Sequence, residues 1–201
     1  MKKTESAHDH ASNQDHCLND SILVDSVICS KEVKKVTELD IPLAILPIEI
    51  GPGGILTPEL SITVDSSGIS QNVIVLKDMV VNIGYVPASS FVGGTLLGSA
   101  NIPFQEETDC PGVCPGDIAV ESPLQVEAII IQPLPNAIIP ALIASGPTDI
   151  ARVKIILRTT ITVIRPIIKS KDGCLIDVNP ARCEAPTPLN ITLPAPPTNG
   201  G

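Results

Sequence analysis

Aromatic residues are almost missing from this chain: among 201 positions there are only Tyr85, Phe91 and Phe104, and no tryptophan. Without aromatic platforms, stacking on nucleic-acid bases has little to work with. Basic residues are also scarce, 13 against 22 acidic, for a net charge of −9. That balance excludes an extended phosphate-binding surface, so no nucleic-acid partner is expected. Charged residues of both signs make up 17% of the chain, below the ~25% usual for soluble proteins. Yet no apolar run reaches the ~18 residues of a membrane-crossing helix. The longest apolar neighbourhood, 128–144, is interrupted by Gln132, Pro133, Pro135, Asn136 and Pro140. Lys2 and Lys3 are not followed by the apolar core of a signal peptide. The expectation is a protein made in the cytoplasm without a signal peptide and with no membrane partner.

Histidine is confined to His8, His10 and His16. All three fall in a polar, aperiodic N-terminal stretch that reads as a flexible arm over residues 1–20. A flexible arm cannot hold a general base within reach of a nucleophile. No G-x-S-x-G is present, and Gly51-Pro-Gly-Gly54 lacks the Lys and Ser/Thr of a phosphate loop. Glu106 and Glu107 are adjacent, so an extended chain points them to opposite faces. No catalytic residue is assigned, an enzyme is not expected, and no cofactor is implied.

What the chain has in quantity is Ile and Val, 20 prolines and 14 glycines. Branched side chains favour pleated surfaces, and frequent proline excludes helices of ordinary length. Alternation marks strands at Glu59–Asp65, Asp78–Tyr85 and, most clearly, Arg152–Arg165. In the last, Val153, Ile155, Leu157, Thr159, Ile161 and Val163 form one face. Arg152, Lys154, Arg158, Thr160, Thr162 and Arg165 are assigned to the other. A strand this long is expected to be bent, bulged or shared at the centre of a sheet. In Asp78–Tyr85, Met79, Val81, Ile83 and Tyr85 share a face. Further strands are expected at Ser21–Ile28, Val33–Leu46, Gln71–Lys77, Leu124–Gln132, Leu175–Val178 and Leu189–Leu193. A short helical turn fits only Ala137–Ala144 or Thr148–Ala151. Turn signals stand at Ser66-Ser-Gly68, Gly93-Gly94, Pro111-Gly112 and Asp172-Gly173. Pro87–Pro123 carries few strand signals and reads as a long excursion. Together these imply an all-β antiparallel sandwich or jelly roll with long loops over residues 21–184, followed by a Pro-rich extended tail over 185–201.

Charge is uneven along the chain. No Lys or Arg lies between Lys77 and Arg152, a span holding Asp78, Glu106, Glu107, Asp109, Asp117, Glu121, Glu127 and Asp149. Such a division either steers contacts between copies or is neutralised within the fold.

Six cysteines fall in three sequence-local pairs. Cys110 and Cys114 sit in CPGVC, Cys174 and Cys183 bracket a second loop, and Cys17 and Cys29 lie in or beside the arm. Intrachain disulfides among Cys110, Cys114, Cys174 and Cys183 are candidates, although spacing does not establish connectivity. Reduced thiols, or a metal cluster of these four, are the alternatives. CPGVC has three residues between its cysteines, not the two of redox motifs. His8, His10, His16 and Cys17 are candidate ligands for Zn²⁺, Cu²⁺ or Ni²⁺.

The stretches HCLNDSILVDSVICSKEVKKV (16–36), FQEETDCPGVC (104–114) and VKIILRTTITVIRP (153–166) resemble SPOCS-type coat and exosporium proteins of spore-forming Firmicutes. The plan, a Cys-bearing arm before a β-sandwich, is similar to endospore-appendage subunits, whose arm cross-links neighbours. That similarity implies Cys17 and Cys29 as intersubunit cross-links. The function expected is a non-enzymatic, self-assembling structural protein of a spore surface layer or extracellular fibre. Its partners would be copies of itself and other spore-surface proteins. A coat-assembly adaptor and a metal-binding protein using the His/Cys arm are the alternatives.

Overall fold

The computed structural model describes residues 20–137 and 148–184, and its spine is one strand, β10 (Thr148–Lys169). Straight, such a strand would run ~70 Å. Its side chains from Val153 to Val163 alternate as expected, with Val153, Ile155, Leu157, Ile161 and Val163 fully buried. Along one side it pairs with β1 (Ile22–Pro42), antiparallel from Ile22 opposite Lys169 to Pro42 opposite Ile150, with one bulge between Val27 and Cys29. Along its other side three shorter strands follow one another: β9 (Gln125–Ala137), β8 (Ile118–Glu121) and β11 (Leu175–Asp177).

The second sheet repeats this plan. Its centre is β6 (Met79–Val92), with β7 (Thr95–Asp109) on one side. On the other side β4 (Leu60–Val64) and β5 (Ser70–Leu76) lie end to end. A small hairpin of β2 (Glu49–Ile50) and β3 (Leu56–Thr57) stands apart. The two sheets pack face to face as an antiparallel sandwich. Val86, Ala88, Ile102 and Phe104 of the second meet Leu124, Val153, Ile155 and Leu157 of the first. The Val, Leu, Ile and Phe side chains among these contribute roughly 1.5–3 kcal/mol each when fully buried.

Proline is accommodated where the ladder has room for it. The carbonyl of Pro87 accepts from the Asp65 amide at 3.1 Å. Pro87 has no N–H to return, and the Asp65 carbonyl accepts instead from Gly68 at 3.2 Å. This is the gap between β4 and β5. Pro103 lies on β7 at the sheet edge, and its carbonyl accepts from Thr37 Oγ1 of β1 at 2.6 Å. Gly93 and Gly94, both with positive φ, close the tight β6–β7 turn.

Several expectations are corrected. Pro87–Pro123 is not an excursion: it holds the end of β6, β7 and β8. Isolated prolines at ladder gaps and edges had concealed the strands. The segments Ser21–Ile28 and Val33–Leu46 are not two strands. One ladder runs through both as β1 and ends at Pro42, followed by a single 3-10 turn over Leu43–Ile45. Lys31, Glu32 and Lys34 of β1 are exposed, and their polarity had looked like a break. Thr148–Ala151 is strand, not helix, and Ala137 ends β9. In β6 the face turned into the core is Val80, Asn82, Gly84, Val86 and Ala88, while Met79, Val81 and Tyr85 are half-buried on the reverse. With apolar residues on both faces, alternation alone could not choose. Arg165 does not join the solvent face but reaches the buried Asp117. The arm at 1–19, residues 138–147, and the tail at 185–201 with Leu189–Leu193 lie outside the described residues.

Leu157 is fully buried between the sheets. Leu157→Ala is expected to cost about 3 kcal/mol. Urea unfolding of the oxidised protein checks this, with Ile130→Ala at an exposed position as a near-neutral reference.

Candidate functional site

Three sets of ties cross the interior, and they contain the chemistry-bearing side chains of this fold. The first is covalent. Cys29 of β1 is bonded to Cys110, which directly follows β7, with Cα atoms 5.8 Å apart. This disulfide joins the two sheets. Cys114 is bonded to Cys183, Cα atoms 5.1 Å apart, pinning the chain after β11 to the loop after β7. Cys174 is also disulfide-bonded.

The sequence-local pairings are therefore corrected. Cys110 does not join Cys114, and Cys174 does not join Cys183. The CPGVC loop turns across the end of the sandwich, so Cys110 faces β1 while Cys114 faces the segment after β11. Cys29 is likewise consumed within the chain rather than left for a neighbouring subunit. Cys17, His8, His10 and His16 lie outside the described residues. Among the described residues no group of three or more His, Cys, Asp or Glu is placed to hold a metal ion.

The second set centres on Asp117, whose side chain is buried. Arg165 grips it with two hydrogen bonds, Nε to Oδ1 at 2.9 Å and Nη2 to Oδ2 at 2.7 Å. Arg182 Nη1 donates to Oδ1 at 2.6 Å, and the Cys114 amide donates to Oδ2 at 2.8 Å. Arg182 also binds Asp177 and the Asn179 carbonyl. Burial pushes the Asp117 carboxyl up, but the hydrogen bonds from Arg165, Cys114 and Arg182 together hold it below the usual range. The acid of the cation-free span thus meets the arginines of the C-terminal part within one molecule. Glu127 of the same span pairs instead with Lys34 of β1 at 3.1 Å, and on the outer face Asp40 takes two hydrogen bonds from Arg152.

The third set is the most enclosed. Lys35 of β1 and Asn82 of β6 are fully buried, and the Glu121 side chain of β8 is 3% exposed. Lys35 lies in phase with Val33 and Thr37 on the inward face of β1; Asn82 lies in phase with Val80 and Val86. Glu121 accepts from both: Lys35 Nζ donates to Oε1 and Asn82 Nδ2 to Oε2. The Phe104 ring sits with its centroid 5.3 Å from Lys35 Nζ. Phe104 fits there because Gly84 opposes it. A Cβ on Gly84 would lie 2.7 Å from Phe104 Cζ and 2.1 Å from the Ser70 carbonyl oxygen. The Asn82 Oδ1 atom is buried without a hydrogen-bond partner. Desolvation lowers the Lys35 ammonium from its ordinary range, opposed by the hydrogen bond and charge of Glu121 and, more weakly, by Glu106. An amine, a carboxamide and a carboxyl group therefore share one dry site.

Sequence reasoning missed this cluster. Glu121 entered only as one acid in a long span, and Lys35 and Asn82 were not singled out. The available signal was phase, because each sits in the inward register of its own strand. By contrast, an apolar cleft of about 230 Å3 between β1 and the β6–β7 hairpin offers Leu39, Ile41, Ile102 and three serines, and brings no acid or base together.

Two expected outcomes follow from the first two sets. Closing loops of 81 and 69 residues stabilises by on the order of 4 kcal/mol each in the chain-entropy account. Cys114→Ser with Cys183→Ser should lower the calorimetric melting temperature by roughly 10 °C. Asp117 and Asp40 both have carboxyls held below their usual range, Asp40 by the hydrogen bond from Arg152. Their stabilisation is present above about pH 4, the ordinary aspartate value, and is lost as the pH falls through the lower folded values. Unfolding midpoints measured from pH 7 to pH 2 should drop on this acid limb, and Asp117→Asn should flatten it.

In comparison with known proteins, the chain matches no family model, no curated protein and no solved structure.

Proposed function

We propose that the chain is a non-enzymatic structural subunit that assembles with copies of itself, in a spore surface layer or an extracellular fibre. The observation that carries this reading is the cross-tying of a thin sandwich. Disulfides spanning 81 and 69 residues and a buried arginine–aspartate hub join its parts. Such ties suit a block that must survive force, drying and proteases. They do not suit a binding site that must open and close.

Edge geometry supports self-association. On its outer side β9 has no strand partner among the described residues. An unpaired edge offers a row of backbone donors and acceptors to another strand. Ile130 on this strand is 45% exposed. Strand addition along β9, from a second copy or from a terminal segment of one, would extend the sheet between subunits. Cys29, Cys110, Cys114 and Cys183 are engaged within the chain and Cys174 is disulfide-bonded, so among the described residues no free thiol is left for a covalent link between subunits.

Negative-stain electron microscopy of the full, air-oxidised chain tests this. Fibres, rings or sheets are expected, and Ile130→Lys should reduce them by placing charge on the β9 edge. Dispersed particles of one or two subunits at all concentrations would overturn self-assembly and favour an adaptor that docks on another protein.

A further inference from the structure

We propose that the chain makes an amide bond within itself, joining Lys35 Nζ of β1 to Asn82 Cγ of β6, with Glu121 carrying the proton and ammonia as the product. The inference goes beyond the structural role proposed above and does not depend on it.

The geometry supplies each part of the reaction. The nucleophile is Lys35 Nζ, fully buried. The electrophile is the side-chain carbonyl carbon of Asn82, equally buried. One carboxylate touches both, Lys35 on one oxygen and Asn82 on the other. The two reacting groups are therefore held beside each other by a shared acceptor. Such fixation replaces a collision with an intramolecular step. Phe104 walls the amine, and the three side chains are shielded from water that would compete.

A dry ion pair neutralises readily, because burial disfavours both charges. The Lys35 ammonium passes one proton to Glu121, leaving a free amine and a neutral carboxylic acid. The amine lone pair then forms the bond to Asn82 Cγ. The C–Nδ2 bond breaks, and its electron pair leaves with the nitrogen. Glu121 gives its proton to that nitrogen and takes one from the former lysine nitrogen. The products are a secondary amide, ammonia and a protonated Glu121, so atoms and charge balance without an oxidant or other reagent. The carboxyl thus acts as acid and base in turn.

A plain structural ion pair explains less. It would need neither the asparagine nor a buried Asn82 Oδ1 without a partner, an unmet acceptor that is unfavourable in a dry interior. In the product, neutral Glu121 has an O–H to donate to that oxygen. The new bond would also tie the two sheets together independently of redox conditions, a few residues along β1 from the Cys29–Cys110 disulfide.

Mass spectrometry decides. The full chain is purified, its disulfides are reduced and its thiols blocked, and its intact mass is measured. The expected mass is lower than that of the sequence by one ammonia. A protease digest should yield a branched peptide joining Lys35 to Asn82. Lys35→Arg and Asn82→Ala should restore the full mass. Glu121→Gln should leave the link unformed, or slow its formation by at least ~100-fold, with circular dichroism confirming that the variant is folded. Should the variants fail to fold, the branched peptide of the unaltered chain still decides. Recovery of Lys35 with a free amine in the folded chain would overturn the proposal. So would a link from Lys35 to Glu121 with loss of water. Full linkage in folded Glu121→Gln would overturn the role given to the carboxylate.

Discussion

Glu121 holds Lys35 and Asn82 at the centre of the sandwich, and the surrounding structure is arranged to make that contact tolerable. Removing one partner from a buried pair typically costs about 3–5 kcal/mol, because the other charge is left without compensation. Three strands from two sheets must therefore keep their register. A shift of one residue along β1 would turn Lys35 to solvent and Lys34 inward. The bulge between Val27 and Cys29 lies on the same strand, and beyond it Cys29 also faces inward to bond Cys110. Disulfide and buried amine thus require the same face of β1 beyond the bulge.

The polar interior divides the work between clusters. Apolar packing joins the sheets through Val86, Phe104, Val153 and Leu157. Where the packing gives way to polar groups, three of them meet specific partners: Lys35 meets Glu121, Thr37 meets the Pro103 carbonyl, and Asp117 meets two arginines. These contacts are directional, so they select one arrangement of the sheets where hydrophobic packing alone would accept several. The exposed pairs on the outer face, such as Lys154 with Glu38 at 2.7 Å, contribute little by comparison.

Much of the fold was legible because alternation is a local property. The inward set of β10 from Val153 to Val163 can be read from residue types alone, and so can the glycine turn at Gly93-Gly94. Reading failed where one residue type carried two meanings. Proline at 87 and 103 looked like a break, yet sits at a ladder gap and a sheet edge. Lysines at 31, 34 and 35 looked alike, although the first two are exposed and the third is fully buried. Met79, Val81 and Tyr85 looked like a core face because β6 is apolar on both sides.

By itself the sequence determined an all-β antiparallel architecture, through branched side chains, period-two alternation and frequent turn residues. It also excluded nucleic-acid stacking platforms and long apolar helices. Only the tertiary structure decided which cysteines pair and which polar groups meet. Cys29 and Cys110 are 81 residues apart, and Lys35 and Glu121 are 86 apart. Such contacts are set by strand register and by the stacking of one sheet on the other. Neither is encoded in any short window of the chain, because each strand's periodicity fixes its two faces but not the partner that either face will meet.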